Sequence, residues 1–282
     1  MKQAARLQSI LLHLILTPLA FLFLVPILWM VIAATQPNSE IISSPPAILP
    51  GNALAENWND LNSRFTDNNN LGYIRVMLNS IVISVVYTAL ATLISSMAGY
   101  AFAKFRFRGK AILFSIIIAT MTIPYSIVVI PQFLLVARDL GLSNTYAAAI
   151  LPALANTLGI FFMRQSLSSL PDELLDAARV DGANEFRIFF QVVLPMALPS
   201  MAAIAIVLFL NQWNDYLWPL LVLTDSSSYT IPVALGTLVG LTNISWGGIM
   251  IGTSLATIPF LIMFLFLQRY FIAGISAGAI KE

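Results

Sequence analysis

No cysteine occurs in these 282 residues, which removes disulfides, thiol catalysis and thiolate metal sites together. Charge is almost as scarce. Asp, Glu, Lys and Arg make up 10% of the chain, against roughly 25% in soluble globular proteins. So few charges cannot clothe a water-soluble body of this size, and a soluble enzyme of ordinary composition is excluded. A strongly basic surface is missing too: the formal net charge is +1, so nothing points to nucleic acid as a partner. No G-x-x-x-x-G-K-[ST] phosphate loop is present, and neither hydrophilic segment carries an acid–base or nucleophile cluster. What remains is apolar. Hydrophobic residues reach 59%, mean hydropathy is +0.85, and the excess runs along the whole chain. This is the composition of an all-α, polytopic membrane protein.

The 27 charged residues are clustered, and the gaps between clusters set the organisation. Charge-free stretches cover 7–39, 76–103, 111–137, 140–163, 188–214 and 226–268. A helix needs about 20 residues to cross a hydrocarbon core of about 30 Å. Six spans are therefore expected near 10–34, 77–103, 111–136, 146–163, 198–222 and 247–268. The first has basic residues Lys2 and Arg6 before it, but its apolar stretch is too long for a signal-peptide core, so it reads as an uncleaved helix. The polar, glycine-broken 224–245, which includes Thr242-Asn243, reads as an external loop, re-entrant in part.

Placing the N-terminus inside puts Lys2, Arg6, Lys104, Arg106, Arg108, Lys110, Arg164, Arg179, Arg187, Arg269 and Lys281 in the cytoplasm. Only Arg64, Arg75 and Arg138 then lie outside. Both termini are thus expected on the cytoplasmic side. The chain divides into a cytoplasmic N-terminus (1–9) and a single transmembrane domain (10–282) whose core is about 77–268. An external loop at 36–75 carries breakers that include 68–70, and the large cytoplasmic loop is 164–197. The basic run from Lys104 to Lys110, interleaved with Phe105 and Phe107, reads as a headgroup anchor.

The cytoplasmic loop has legible local physics. Ser169 and Asp172 have the spacing of a capping box, and Pro171 suits a first helical turn. Asp172 and Glu173 fall near the positive end of the helix dipole. Leu174, Leu175 and Ala178 are expected on one face. Asp181-Gly182 breaks the helix, a second short helix follows over 183–190, and Pro195 marks the start of the fifth span. Small residues at the middle, Ala177, Ala178 and Gly182, let a backbone sit close to another protein.

Asp176-Ala177-Ala178, three residues, Gly182, nine residues, then Val192, Leu194 and Pro195 are similar, at every spacing, to the EAA loop of bacterial ABC-importer permeases. Asp176 stands where that family usually has Glu. Further segments resemble the carbohydrate branch of the family, the maltose-transporter type. They are Asn79-Ser80, Gly99-Tyr100-Ala101-Phe102-Ala103-Lys104, Ile130-Pro131, Gly141-Leu142, Trp213-Asn214-Asp215, Gln268-Arg269-Tyr270-Phe271 and Gly278-Ala279. The resemblance implies a type I importer permease fold in the bacterial inner membrane, with no cofactor on this chain. It implies a second permease subunit in a heterodimer, an ATPase dimer holding ATP and Mg, and a solute-binding protein docking on 36–75 and 224–245. It also implies that Asp176, Ala177, Ala178, Asp181 and Gly182, with Leu194 and Pro195 closing the motif, form the contact to the ATPase.

Inside the spans, ionisable groups are costly and default to functional candidates. His13 reads as an interhelical or interfacial hydrogen-bonding residue, with no cluster around it for a metal. Asn211, Gln212, Trp213, Asn214, Asp215 and Tyr216 read either as lining the translocation path or as tying the fifth span to a neighbouring helix. No Lys or Arg lies within a span, which favours a neutral sugar, polyol or glycoside as cargo. Prolines 18, 26, 124, 131, 219 and 259 are candidate kinks or passive. The alternative is an ion-coupled secondary transporter or channel, for which Asp215 is the one clear coupling group and no internal repeat is visible.

Overall fold

The computed structural model describes residues 2–66, 71–240 and 244–279, with side chains over 10–66, 71–240, 244–266 and 268. The side chains of Lys2, Arg6, 68–70, Thr242-Asn243, Arg269, Tyr270, Phe271 and Lys281, used in the sequence reading, lie outside that description. Helices follow in the order α1 (Lys2–Ala33), α2 (Asn38–Ile41), α3 (Leu54–Arg64), α4 (Tyr73–Lys104), α5 (Lys110–Thr120), α6 (Tyr125–Phe133) and α7 (Tyr146–Ile150). They continue with α8 (Thr157–Ser168), α9 (Asp172–Val180), α10 (Glu185–Ile188), α11 (Leu194–Trp213), α12 (Leu217–Val222), α13 (Ile231–Val239) and α14 (Trp246–Ala279). No strand occurs among the described residues.

Four helical runs are long and apolar enough to cross a bilayer: Ile10–Ala33, Tyr73–Lys104, Glu185–Trp213 and Trp246–Phe266. Two bent pairs raise the number to six if each is one span. The third expected span, 111–136, is not straight. α5 and the α6 run, which continues as a π-helical turn over Leu134–Asp139, meet at 94°. The cause is local: Pro124 is extended (φ −60, ψ 131), and a residue before proline is pushed out of the helical region. The second pair, at the place of the fourth expected span, bends by 47°, where Asn156 stops one helix and caps the next by accepting from Gly159 N–H.

The helical run at the place of the fifth expected span also differs from 198–222: the run starts at Glu185 and stops at Trp213, and Pro195 lies inside it rather than at its start. A π-helical turn over Phe189–Val193 absorbs the proline, because a wider turn relieves the clash its ring makes with a preceding carbonyl. The expected loop at 224–245 contains α13, whose Val233, Ala234 and Leu238 are fully buried.

The chain divides into two compact units. In the first (1–74 and 235–258), the described residues 36–66 carry helices α2 and α3 held by hydrogen bonds. Buried Asn57 of α3 donates to Ala34 O (3.0 Å) and Gln36 O (2.8 Å), while Asn38 Oδ1 accepts from Gly247 N–H (2.9 Å). Tyr73 donates its hydroxyl to Gly252 O (3.0 Å).

The second unit (75–234 and 259–282) is built on α4. Asn79, Ser80, Ser84, Thr92, Ser95 and Ser96 form a buried stripe of polar, mostly small side chains along that helix. Small side chains let neighbouring backbones approach, and at membrane depth their polar atoms must find partners inside the protein. Asn79 donates to Ser227 O and Tyr229 O (both 2.9 Å), and Ser80 Oγ accepts from Ile231 N–H (2.7 Å). Trp218 donates its indole N–H to Ala148 O (2.9 Å), fixing α12 on α7.

Candidate functional site

The loop between α8 and α11 is organised by a helix end. At the close of α9, Ala183 N–H donates to Ala178 O and Gly182 N–H to Arg179 O, both at 3.0 Å. This is the Schellman pattern, and it requires the left-handed conformation that Gly182 adopts (φ +81). Asn184 then caps α10 by accepting from Arg187 N–H (2.9 Å). The expected capping box does not form. Ser169 Oγ turns back to Ser166 O, Pro171 occupies the N-cap, and the Asp172 carboxylate is taken by Lys104 Nζ (2.6 Å).

The loop is tied to α4 at two points. Lys104, the last residue of α4, also donates to Leu170 O, so its almost buried ammonium holds the start of α9. Tyr100, one turn earlier, donates its hydroxyl to Glu185 Oε2 (2.9 Å). Glu185 Oε1 accepts from Arg179 Nε (2.8 Å), and Arg179 NH1 donates to Asp176 Oδ1 (2.7 Å). An unbroken polar chain thus runs from a spanning helix to the acidic residue of the motif. Sequence reasoning missed it. The i,i+3 spacing of Asp176 and Arg179 hints at one link, but Tyr100 lies 85 residues from Glu185.

Of the residues singled out in this loop, Asp176, Ala177, Asp181, Gly182 and Pro195 are exposed, while Ala178 and Leu194 are half-buried. The expected common face of Leu174, Leu175 and Ala178 splits: Leu175 is buried at 2% exposure, whereas Leu174 points outward at 44%. Adjacent helix positions lie 100° apart, so only one of the two leucines can face the core. The outward apolar set is completed by Val180 (87%) and Phe186 (70%).

The Asp172 carboxyl is held below the ordinary carboxylate range, chiefly by accepting a hydrogen bond from Lys104 and then by its charge, with Arg106 and Arg179 adding smaller effects. A lowered folded pKa means that the contact stabilises above the unfolded carboxyl value of about 3.9 and is lost as pH falls through the still lower folded value. Hydrogen exchange in α9 beyond its first turn, corrected for the intrinsic rate, should therefore be flat from pH 8 to pH 5 and rise only in the acid range. Lys104→Met should raise it throughout. Exchange climbing already between pH 7 and pH 6 would contradict this assignment.

The second candidate cluster sits where α11 ends. Gln212 and Trp213 are buried, with Trp213 stacked on Phe209 (5.4 Å, 14°); Asn211, Asn214 and Tyr216 are exposed, and Asp215 is half-buried. Asn214 donates to Leu210 O (2.9 Å) and Asp215 Oδ1 accepts from Trp218 N–H (3.4 Å). Both bonds close local turns around the break between α11 and α12. Short polar side chains commonly satisfy the nearest freed backbone group. Asp215 is also within electrostatic reach of Tyr87 on α4 and Tyr125 on α6, and Tyr87 OH accepts from Asn156 Nδ2 (3.3 Å). His13 is exposed on α1. No group of three or more potential metal ligands occurs among the described residues.

A family model described as binding-protein-dependent transport system inner membrane component matches residues 91–277. The chain belongs to this family. The match takes in the polar chain from Tyr100 to Asp176 and the α11–α12 break. The arabinooligosaccharides transport system permease protein AraQ of Halalkalibacterium halodurans is 38% identical over 265 residues, covering 93% of each chain. The lactose transport system permease protein LacG of Rhizobium radiobacter is 38% identical over 276 residues, covering 98% of this chain and 97% of LacG. The sn-glycerol-3-phosphate transport system permease protein UgpE of Pectobacterium atrosepticum is 32% identical and covers 86% and 87%. In fold, the chain is similar to a chain of a bacterial ABC transporter involved in the import of the acidic polysaccharide alginate. The TM-score is 0.75 with 23% identity, over 95% of this chain and 98% of that one.

The protein is thus an ABC-importer inner-membrane permease of the carbohydrate-uptake type, a multi-pass component of the bacterial inner membrane. Its relatives are permease subunits of transport systems rather than enzymes, and the secondary-transporter alternative gives way.

Proposed function

We propose that this permease forms half of the translocation path for a neutral sugar, polyol or glycoside, and that its 164–197 loop couples the path to a separate ATPase dimer that binds ATP and Mg. The chain crosses the membrane six times with both termini in the cytoplasm, as a single transmembrane domain over 10–282. A second permease subunit completes the pore as a heterodimer. A solute-binding protein delivers cargo on the outside, onto 36–75 and 224–245.

The observation that carries this reading is the loop's construction. α9 and its left-handed Gly182 turn present Asp176, Ala177, Asp181, Val180 and Phe186 outward, while Arg179, Glu185 and Tyr100 fasten the same turn to α4. An exposed apolar face on a rigidly anchored, water-side loop is what a docking contact needs. The path is supported by the helix break after Trp213. Irregular backbone at membrane depth is tolerated only inside protein or against a water-filled cavity, and this break carries Asn214, Asp215 and Tyr216.

A neutral cargo is supported by the lack of Lys and Arg within the expected spans and by relatives named for lactose and arabinooligosaccharides. Relatives named for glycerol phosphate, and a fold relative named for alginate, handle anions, so the charge argument carries more weight than the names. The delivery partner is supported by a second similar structure, a bacterial alginate ABC transporter in complex with an alginate pentasaccharide-bound periplasmic protein (TM-score 0.59, 16% identity, 93% of this chain and 94% of that one).

The absence of native cysteine makes the topology directly testable. In intact cells, Ile48→Cys should react with a membrane-impermeant maleimide, and Val180→Cys should react only once the membrane is opened. Val180→Cys should also cross-link to a co-purifying nucleotide-hydrolysing subunit. Labelling of Val180→Cys from outside, or purification without any such subunit, would overturn the coupling role.

A further inference from the structure

Beside the first turn of α5 lies a cavity of about 590 Å³, lined by Phe107, Gly109, Lys110, Ile112, Phe114 and Arg164 among others. Arg164, near the end of α8, lies with its guanidinium carbon 4.1 Å from the centroid of the Phe114 ring. Its Nε is shielded from solvent and has no acceptor, and no carboxylate pairs with it among the described residues. Among the nearby acids, Asp172 is engaged by Lys104, Asp176 by Arg179, and Glu185 by Arg179 and Tyr100. Lys110 spends two of its three donors on Ala103 O (3.3 Å) and Phe105 O (2.9 Å), which fixes its ammonium at the cavity wall. Arg106 and Arg108 stand exposed on the turn beside it.

A guanidinium with five donors and no acceptor is expensive at the end of a membrane span unless an anion or water meets it. The surroundings decide which. Apolar Ile112, Leu113 and Ile116 run outward from the cavity along α5 and are all about half or more exposed. The site is therefore basic and aromatic at one end and greasy along its flank. That combination matches a phosphodiester carrying acyl chains, and a free ion would leave the flank unused.

We propose that this cavity is a specific site for the phosphate of an anionic glycerophospholipid. Arg164 forks onto the phosphate oxygens, Lys110 supplies a second cation, and the acyl chains lie along Ile112 and Ile116. The site is on the same side as the 164–197 loop, because Arg164, the first residue of that loop, lines it. Assigning it to the cytoplasmic leaflet rests on the topology proposed above.

The test does not depend on that topology. Native mass spectrometry on the detergent-purified full chain should show one tightly held phosphatidylglycerol, with phosphatidylcholine held several-fold more weakly. Arg164→Gln should weaken phosphatidylglycerol retention by about fivefold to tenfold, as expected for one cation at a phosphate. Arg164→Lys, which keeps the charge and the fold but loses the fork, should fall between. Arg138→Gln, an exposed cation far along the sequence, should leave retention unchanged. Equal retention by wild type and both Arg164 variants would overturn the site. Displacement of the lipid by equimolar inorganic phosphate would show that the ion and not the lipid is recognised, and would overturn the lipid assignment. Neither result bears on the maleimide labelling of Val180→Cys, so the two proposals fail separately.

Discussion

Gly182→Val is expected to cut solute uptake by roughly fivefold to thirtyfold while the protein still inserts and accumulates. Gly182 has a φ of +81, and a Cβ built there meets nothing within 4 Å. Space within the chain is therefore not what demands glycine; the backbone conformation is. A β-branched residue in the left-handed region costs on the order of 1–2 kcal/mol, and each 1.4 kcal/mol is a factor of ten in population. The turn would open and release the two hydrogen bonds that close α9, at Arg179 O and Ala178 O. Asp176 and Val180 would then no longer be presented together. Gly182→Asn is the discriminating companion, since asparagine tolerates this conformation and should hold uptake within about threefold of wild type. Uptake into proteoliposomes holding the whole complex, read beside ATPase co-purification, separates the outcomes. If both variants fail alike, the docking surface needs a bare backbone; if both behave as wild type, the left-handed turn has no coupling role.

The largest effect on folding should come from Gly99. A Cβ there would stand 2.7 Å from Arg164 N and 2.7 Å from Met163 Cβ, so α4 and α8 touch backbone to side chain at this point. Neither neighbour is a flexible tip that can swing away. Gly99→Ala should lower the Tm by roughly 2–5 °C, as overpacking of about 1–3 kcal/mol implies for a chain of this size, and Gly99→Leu should prevent accumulation of folded protein. Gly159 on the facing helix provides the contrast. Its added Cβ would meet the Ser95 hydroxyl, the end of a short rotatable side chain, so Gly159→Ala should cost less than Gly99→Ala. Thermal unfolding of the two alanine variants side by side decides it, and the reverse order would refute this account of the crossing.

Much of the architecture could be read from charge gaps alone. Stretches without Asp, Glu, Lys or Arg coincide with α1, α4 and α14, because desolvating a charge in hydrocarbon costs more than local sequence can offset. The turn at Gly182 was legible for a similar reason: one residue type alone adopts that φ cheaply. Direction within a gap was not legible. Hydropathy is blind to the 94° elbow at Pro124 and to the break after Trp213, since a bent apolar segment and a straight one have the same composition. The capping box failed because a partner 68 residues away, Lys104, competes for Asp172. Pairings of that range, like Tyr100 with Glu185, leave no periodic trace in a single chain. At the α11–α12 break, backbone groups freed by the turn engage the Asn214 and Asp215 side chains, a local bonding that residue types alone do not specify.

The helical run from Glu185 to Trp213, π-helical turn included, has a mechanical corollary. Twenty-nine residues at about 1.5 Å each make a strut of roughly 43 Å. Pivoted near its midpoint, such a strut behaves as a seesaw: a few ångströms of sideways shove at Glu185 become a comparable swing, opposite in sense, at Asn214. If the 164–197 loop couples as proposed, no relay of small rearrangements is then needed between the two ends, because the run moves as one lever.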